Sequence, residues 1–335
     1  MTAPTRVAAP AEELERALFE LRRVVVGQDR LLERLLVALL ARGHCLLEGV
    51  PGVAKTLAVE TLARAVGGTF SRLQFTPDLV PSDIVGTRIF KPGSDRFEVE
   101  LGPVFANLVL ADEVNRAPAK VQSALLEVMA ERQVSLGGTT YPLPKPFLVL
   151  ATQNPIESEG VYALPEAQRD RFLLKVDVGY PSGAEELAIL HRMGVRPPVA
   201  EAVLSPERVL ALQAAADEVH LHHAVAEYVV RLVLATREPG PDIAGALEFG
   251  ASPRATLGIA AAARGLALLR GREYVLPEDV RDVAGDVLAH RLVLTYDAVA
   301  DGVDPRWIVD RVLAAVPAPQ VAPARDTGEA ARDAA

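Results

Sequence analysis

The run Gly49-Val50-Pro51-Gly52-Val53-Ala54-Lys55-Thr56 restricts this chain more than any other feature of its sequence. It comes directly off a short apolar run, residues 44–48, and leads into the helical pattern LAVETLARAV that opens at Leu57. A strand, a tight glycine-bearing loop and a helix in that order surround an anion with backbone N–H groups and a helix N-terminus. In such a loop the lysine reaches the β and γ oxygens of a bound phosphate chain and the hydroxyl ligates magnesium. Lys55 and Thr56 stand at those two places, whereas the glycine usual before the lysine is Ala54. Alone, so degenerate a loop is weak evidence; its surroundings have to support it.

The surroundings read as an α/β fold. Residues 12 to about 180 alternate short apolar runs with helical patterns, as a parallel sheet flanked by helices requires. The predicted strands are residues 44–48, 70–75, 108–112, 147–153 and 172–178, three of them apolar nearly throughout, as strands buried on both faces are. Two segments read as inserted β-hairpins. Residues 88–101 alternate apolar and polar after a Pro-Gly turn, and residues 133–141 turn at Gly137-Gly138, with Pro142, Pro144 and Pro146 confining the returning arm to an edge. Ordinary loops are the competing reading of both.

Beyond Tyr180-Pro181-Ser182-Gly183 the pattern becomes helical. Pro206, Pro253, Pro277 and Pro305 each occupy a plausible first helical position, three of them behind Ser205, Ser252 or Asp304 as a cap. The expected organisation is a disordered start over residues 1–11, an α/β core over 12–183, a smaller helical domain over 184–316 and a disordered, Ala- and Pro-rich tail over 317–335.

Two further strand ends carry chemistry. The strand NLVLAD closes on Asp112 and Glu113, adjacent carboxylates suited to holding magnesium through water and to polarising an attacking water. The strand FLVLATQ ends before Asn154, whose uncharged amide can bond both that water and a terminal phosphate; a turn-forming Asn before Pro155 is the plain alternative. Three strand ends converging on one crevice match the place where open α/β sheets bind ligands.

Composition removes several other classes. The net charge is −9, which disfavours a broad nucleic-acid-binding surface and favours protein clients. No apolar run approaches the ~20 residues that span a bilayer, and no secretory leader is evident, so neither membrane insertion nor export is expected, and a cytoplasmic location is. Cys45 lies in an apolar run and reads as a small buried hydrophobe. His220, His222 and His223 are dense enough to suggest a metal site, but with no evident acidic or sulfur partner they read as an exposed helix surface.

At this point the residues resemble the AAA+ superfamily, and within it the MoxR group, through the runs LLEGVPGVAKT, LADEVNRAPAKVQSALLEVMAERQV and ATQNPIESEGVYALPEAQRDRFLLK. Ala54 before the lysine is similar to what that group shows. The resemblance implies an ATP hydrolase with an AAA+ core, β-hairpin inserts and a helical lid, using ATP and Mg2+. It implies nucleotide contacts from Val26, Gly27 and Gln28 near the adenine and from the loop Gly49 through Leu57, with Thr56 and Asp112 toward the metal. Lys55, Glu113 and Asn154 become catalytic. Arg171 matches an arginine finger that reaches the neighbouring subunit's nucleotide, although Arg169, where the group more often has an apolar residue, leaves the choice between them open. Arg254 matches the lid's sensor arginine, with ATP lying between core and lid. Arg116 is a weaker candidate for a contact between subunits, and the two hairpins are expected to face a pore or partner.

The family likeness further implies a homo-oligomeric ring, usually a hexamer, doing chaperone-like remodelling, activation or cofactor insertion on protein complexes with a partner carrying a von Willebrand factor A (VWA) domain. A magnesium-chelatase-like motor, a nucleic-acid motor and a non-hydrolysing nucleotide-gated scaffold are the alternatives.

Overall fold

The computed structural model describes residues 8–92, 96–154, 161–194 and 197–320. Helices α1 (Ala8–Val24) and α2 (Asp29–Leu40) precede β1 (Cys45–Glu48), the glycine-bearing loop and α3 (Lys55–Ala65). Next come β2 (Phe70–Gln74), α4 (Pro81–Val85), the antiparallel pair β3 (Gly86–Lys91) and β4 (Arg96–Leu101), and β5 (Leu108–Asp112). Helix α5 (Ala119–Glu131) leads into a second antiparallel pair, β6 (Gln133–Leu136) and β7 (Thr139–Pro142), then β8 (Leu148–Gln153), α6 (Glu166–Arg169) and β9 (Leu174–Asp177). The remainder is α7 (Gly183–Met193), α8 (Pro206–Glu218), α9 (His223–Arg237), α10 (Pro241–Ala244), β10 (Leu247–Phe249), α11 (Pro253–Leu269), α12 (Pro277–Leu288), β11 (Val293–Leu294), α13 (Tyr296–Ala300) and α14 (Pro305–Ala315).

The five predicted strands form one parallel sheet in the order β2-β5-β8-β1-β9; β5 agrees with the apolar pattern, β1, β2 and β8 are one residue shorter at one end, and β9 is shorter at both ends. Inner strand β5 is buried at every residue, so only apolar side chains are tolerated before its terminal carboxylate, while edge strand β2 buries only Leu73. Both predicted hairpins form. In the second, Gly137 and Gly138 take φ of 58° and 84°, the left-handed pair that a two-residue hairpin turn requires. The first turns after Pro92, and the rest of its turn lies outside the described residues.

The expected disordered start is corrected: α1 already begins at Ala8, and residues 1–7 lie outside the described part. Leu14, Ala17, Leu21 and Val24 recur at helical spacing and are buried, and the packing of this stripe against α3 and α11 carries the helix further toward the N-terminus than the composition of its first turn indicates. Residues 317–320 have no regular structure, and the rest of the expected tail lies outside the described residues.

The prolines act as read. α8, α11, α12 and α14 start on Pro206, Pro253, Pro277 and Pro305, and Ser205, Ser252 and Asp304 accept hydrogen bonds from first-turn N–H groups.

One hydrophobic core runs through both regions, because α11 packs against α2, α8, α9 and α12. The N-terminal helices are thus the seat of the helical region. A buried ion network locks that seat: Arg34 of α2 donates to Asp286 of α12 at 2.7 Å, and Arg30 and Arg306 reach the same carboxylate at 3.0 and 2.9 Å. With Arg34 and Asp286 almost wholly buried, either charge without the other would be costly, so the network specifies this docking over others.

His44, just ahead of β1, is also buried. Its Nε2 donates to the Met129 carbonyl at 3.2 Å while Nδ1 accepts from the Val149 N–H at 2.9 Å, an arrangement open only to the neutral ring. Burial pushes its pKa down to about 4. The unfolded chain, with an ordinary histidine, takes up the proton first, so this contribution is complete above the ordinary histidine pKa and is lost as pH falls through about 4. Over that window the loss amounts to about 3 kcal/mol. Urea unfolding of the wild type at neutral pH and near pH 4.5 should show it, and His44→Gln, which can donate and accept but not titrate, should show a correspondingly smaller pH dependence.

Candidate active site

Loop geometry begins with two glycines. A Cβ on Gly49 would lie 2.3 Å from the Val178 carbonyl oxygen, so the loop can leave β1 beside β9 only at a glycine, and Gly52 has φ +85°. Ala54 then adopts φ 62°, ψ 21°, a left-handed conformation that costs a non-glycine residue about 1–2 kcal/mol, and Lys55 opens α3 with no side-chain cap on its N-terminal N–H groups. Those groups and the loop face a cavity of about 400 Å³. The Lys55 ammonium is drawn onto the Gly49 carbonyl and lies 3.4 Å from that of Gln153. Burial lowers its pKa, while Asp112, Glu113 and Glu48 work in the opposite direction.

The central strands supply the opposite wall. β8 lies between β5 and β1, which brings Asp112, Glu113, Thr152, Gln153 and Asn154 to the cavity holding Lys55 and Thr56. Thr152 is a relay: its hydroxyl donates to Asp112 Oδ1 at 2.6 Å and accepts from the Glu113 N–H at 2.8 Å. Glu113 sits at φ 57°, ψ 49°, so two of the left-handed non-glycine residues, Ala54 and Glu113, line this crevice, while Arg42 and Arg132 lie outside it. Asn154 is buried on the same wall.

Thr152 and Gln153 of this site escaped the sequence reading, and so did two residues of β2. Arg72 donates from Nη2 and Nε to Asp112 Oδ2 at 2.6 and 3.1 Å, and Gln74 Nε2 donates to Glu113 Oε2 at 2.6 Å. Both belong to β2, where Arg72 and Gln74 stand two positions apart and therefore on one face, with Leu73 on the other. That alternation was the available signal, but nothing in it says which strand lies alongside. Arg116 completes the shell around Glu113 at 3.0 Å.

The donor set suits a hard divalent cation. Thr56 offers a hydroxyl and Asp112 a carboxylate, the oxygen ligands magnesium prefers, and both line the phosphate-loop cavity. Gln28 Nε2 bonds the Gly179 carbonyl at 3.0 Å, which places Val26-Gly27-Gln28 beside the residue that follows Val178, next to the start of the phosphate loop.

Arg171 and Arg254 are elsewhere. They line a second cavity of about 420 Å³ with His44, Asp170 and Arg291, and no residue of the phosphate loop borders it. Leu174 pairs with Cys45 at the start of two parallel strands, whereas the loop follows their ends, so Arg171 sits a strand length, roughly 10 Å or more, from its own loop. Asp170 holds this arrangement, receiving Arg291 at 2.8 Å, Ser252 at 3.0 Å and Arg254 at 3.4 Å. Arg254, expected as the lid's sensor arginine, thus stands at this cavity and not at the phosphate-loop cavity, because α11 is anchored at the Asp170 end of the sheet. Asp170 and Arg291 were themselves unrecognised in the sequence. Arg169, by contrast, lines a third cavity together with Asn154, so the structure sends the two arginines of this segment to different places.

The histidine reading is corrected in part. His222 caps α9 by accepting from the Ala224 N–H, His223 opens that helix 3.3 Å from Glu227, and His220 lies in a bridge to Tyr274, so the three do not share a helix face, and an acidic neighbour is present. Among the described residues no group of three or more His, Cys, Asp or Glu is placed to hold a metal ion, and no helix is long and apolar enough to cross a membrane. Cys45 is buried, as read.

Comparison with known proteins accords with this geometry. Residues 44–174 match the family described as ATPase family associated with various cellular activities (AAA), and residues 242–312 match the AAA lid domain. The chain is 65% identical over 319 residues to Chaperone MoxR1 of Mycobacterium tuberculosis, covering 94% of this chain and 85% of that protein. It is 35% identical to Protein MoxR of Paracoccus denitrificans, over 88% and 93% of the two chains. A solved structure from Cytophaga hutchinsonii, described as a candidate ATPase, superposes with a TM-score of 0.88 at 45% identity, covering 94% of this chain and 97% of that one.

Proposed function

The chain belongs to the MoxR family of AAA+ ATPases and hydrolyses ATP, and from that premise we propose that it works as a ring in which each active site is completed by the neighbouring subunit. The observation that carries this reading is the position of Arg171, a strand length from its own phosphate loop and beside Arg254. Neither cation reaches the nucleotide of its own chain in this arrangement, while both are presented together at one cavity, as a surface that serves a neighbour would present them.

In this reading the N-terminal N–H groups of α3, the loop from Gly49 to Leu57, and Lys55 bind the phosphates, and Val26, Gly27 and Gln28 contact the base. Thr56 and Asp112 would hold Mg2+, which when bound neutralises phosphate charge. Glu113 takes the proton of the attacking water, and Asn154 orients that water against the terminal phosphate. Because Gln74 holds the Glu113 carboxylate, that bond must yield before Glu113 can act. Arg171 of one subunit then stabilises charge developing at its neighbour's phosphate, and Arg254 beside it reports the state of that site to the lid.

The division between core and lid falls at Gly183. The work done is chaperone-like remodelling, activation or cofactor loading of protein complexes, with a hexameric ring, a VWA-domain partner and a cytoplasmic setting. The name of the relative at 65% identity and the charge of −9 support protein rather than nucleic-acid clients.

The test is turnover against protein concentration. ATP hydrolysis per chain should rise steeply with concentration and level off as rings fill; a rate per chain that is flat at every concentration, with the protein monomeric throughout, overturns the shared site.

A further inference from the structure

We propose that the cavity behind Asn154 is a binding site for inorganic phosphate, in which the hydrolysis product is held by Arg169 and Asn115 on its way out. This rests on the reading of the phosphate-loop cavity as the ATP site.

The cavity has a volume of about 390 Å³ and shares Gln153 and Asn154 with the phosphate-loop cavity, so both lie against the same two residues at the end of β8. Its walls carry an unmet donor and an unmet acceptor. Arg169 Nε and Asn115 Oδ1 are buried, and among the described residues neither has a hydrogen-bond partner. Asn115 is only 8% exposed. Orphaned polar atoms at such depth are uncommon in folded proteins, because each forfeits its bond to water without replacement.

Charge favours an anion. The Glu48 carboxylate on the same wall is neutralised by Lys175 at 2.7 Å, whereas Arg169 has only a long contact, 3.8 Å, to Glu166, itself largely exposed. The uncompensated charge of the cavity is therefore positive. Arg171 does not share this role, since its Nη1 donates to the Leu126 carbonyl at the other cavity.

The product matches the walls. Hydrolysis of ATP yields a hydrogen phosphate that carries anionic oxygens, which accept from Arg169 Nε, and an O–H, which donates to Asn115 Oδ1. Arginine is suited to phosphate through its fixed, planar set of donors. ADP, with its phosphates on the loop, does not compete for this space.

The experiment is calorimetric titration of inorganic phosphate into the full-length protein saturated with ADP and magnesium. The wild type is expected to bind one phosphate per chain. Arg169→Leu and Asn115→Leu are each expected to weaken it about ten-fold or more, with Arg169→Lys retaining part of the affinity and ADP affinity unchanged in all three. Thermal melts identify a variant that fails to fold, in which case the lysine variant and the remaining leucine variant decide. A wild type that binds no phosphate, its cavity holding water alone, or variants that bind as tightly as wild type, overturns the proposal. A protein that binds phosphate in this way but never cleaves ATP in single-turnover mixing leaves this site standing and overturns instead the reading of the first cavity.

Discussion

Replacing Glu113 by Gln is expected to leave nucleotide binding within a few-fold of wild type and to lower ATP turnover by about 10²–10⁴-fold. The amide keeps the shape of the carboxylate and can still lie beside Gln74 and Arg116, but it cannot take a proton from water. Steady-state hydrolysis, together with titration of a fluorescent nucleotide, separates the two effects. If turnover and binding fall in parallel, Glu113 has lost a binding role. If neither falls, the pair at the end of β5 is structural, and the left-handed backbone at Glu113 serves the turn alone. Loss of turnover with binding retained is the result that makes that strained residue part of the chemistry.

Arg171→Ala should be at least as damaging to turnover, by about 10³–10⁵-fold if it acts as a finger, while binding of nucleotide by the mutated chain itself is preserved. The fold should tolerate it, since the side chain gives up one hydrogen bond, to the Leu126 carbonyl. The decisive measurement is a mixture. A subunit with Arg171→Ala still has Glu113, and a Glu113→Gln subunit still has Arg171. Random co-assembly therefore rebuilds complete sites at about a quarter of head-to-tail interfaces. Activity in the mixture, from two proteins inactive alone, requires that the groups act across an interface. A mixture as inactive as its components, in rings shown to contain both, would return Arg171 to a role within its own chain.

Much of the architecture was legible because its signals are local. The parallel strands showed as apolar runs of the right length, and the hairpin turn at Gly137-Gly138 as two residues that accept positive φ. Four helices of the helical region announced themselves by proline at the first position, where a missing N–H is harmless. The start of the chain misled because Ala and Pro with charged residues resemble a solvated segment, and only burial against α3 and α11 makes it a helix.

The site divides along the same line. Asp112, Glu113 and Asn154 stand at strand ends, and Lys55 and Thr56 open the helix that follows β1, so the rule that parallel strands deliver their ends to one edge is enough to gather them. Arg72 and Gln74 reach Asp112 and Glu113 only because β2 lies beside β5, a pairing between segments about forty residues apart. Likewise, the lid could be recognised as helical from its own residues, but not where it would dock. That was decided by Arg34 meeting Asp286 and Arg291 meeting Asp170, contacts spanning 252 and 121 positions.

By itself, then, the sequence determined the order of strand, loop and helix, the residue types at the strand ends, and the helix starts, since backbone geometry and local hydrogen bonding express themselves within a few residues. Only the tertiary structure decided which strand neighbours which, on which end of the sheet the lid sits, and hence that Arg171 and Arg254 line a different cavity from the phosphate loop while Arg169 lines the cavity behind Asn154. Those outcomes depend on burial and charge pairing between distant segments, for which a short window of sequence carries no periodicity and no spacing.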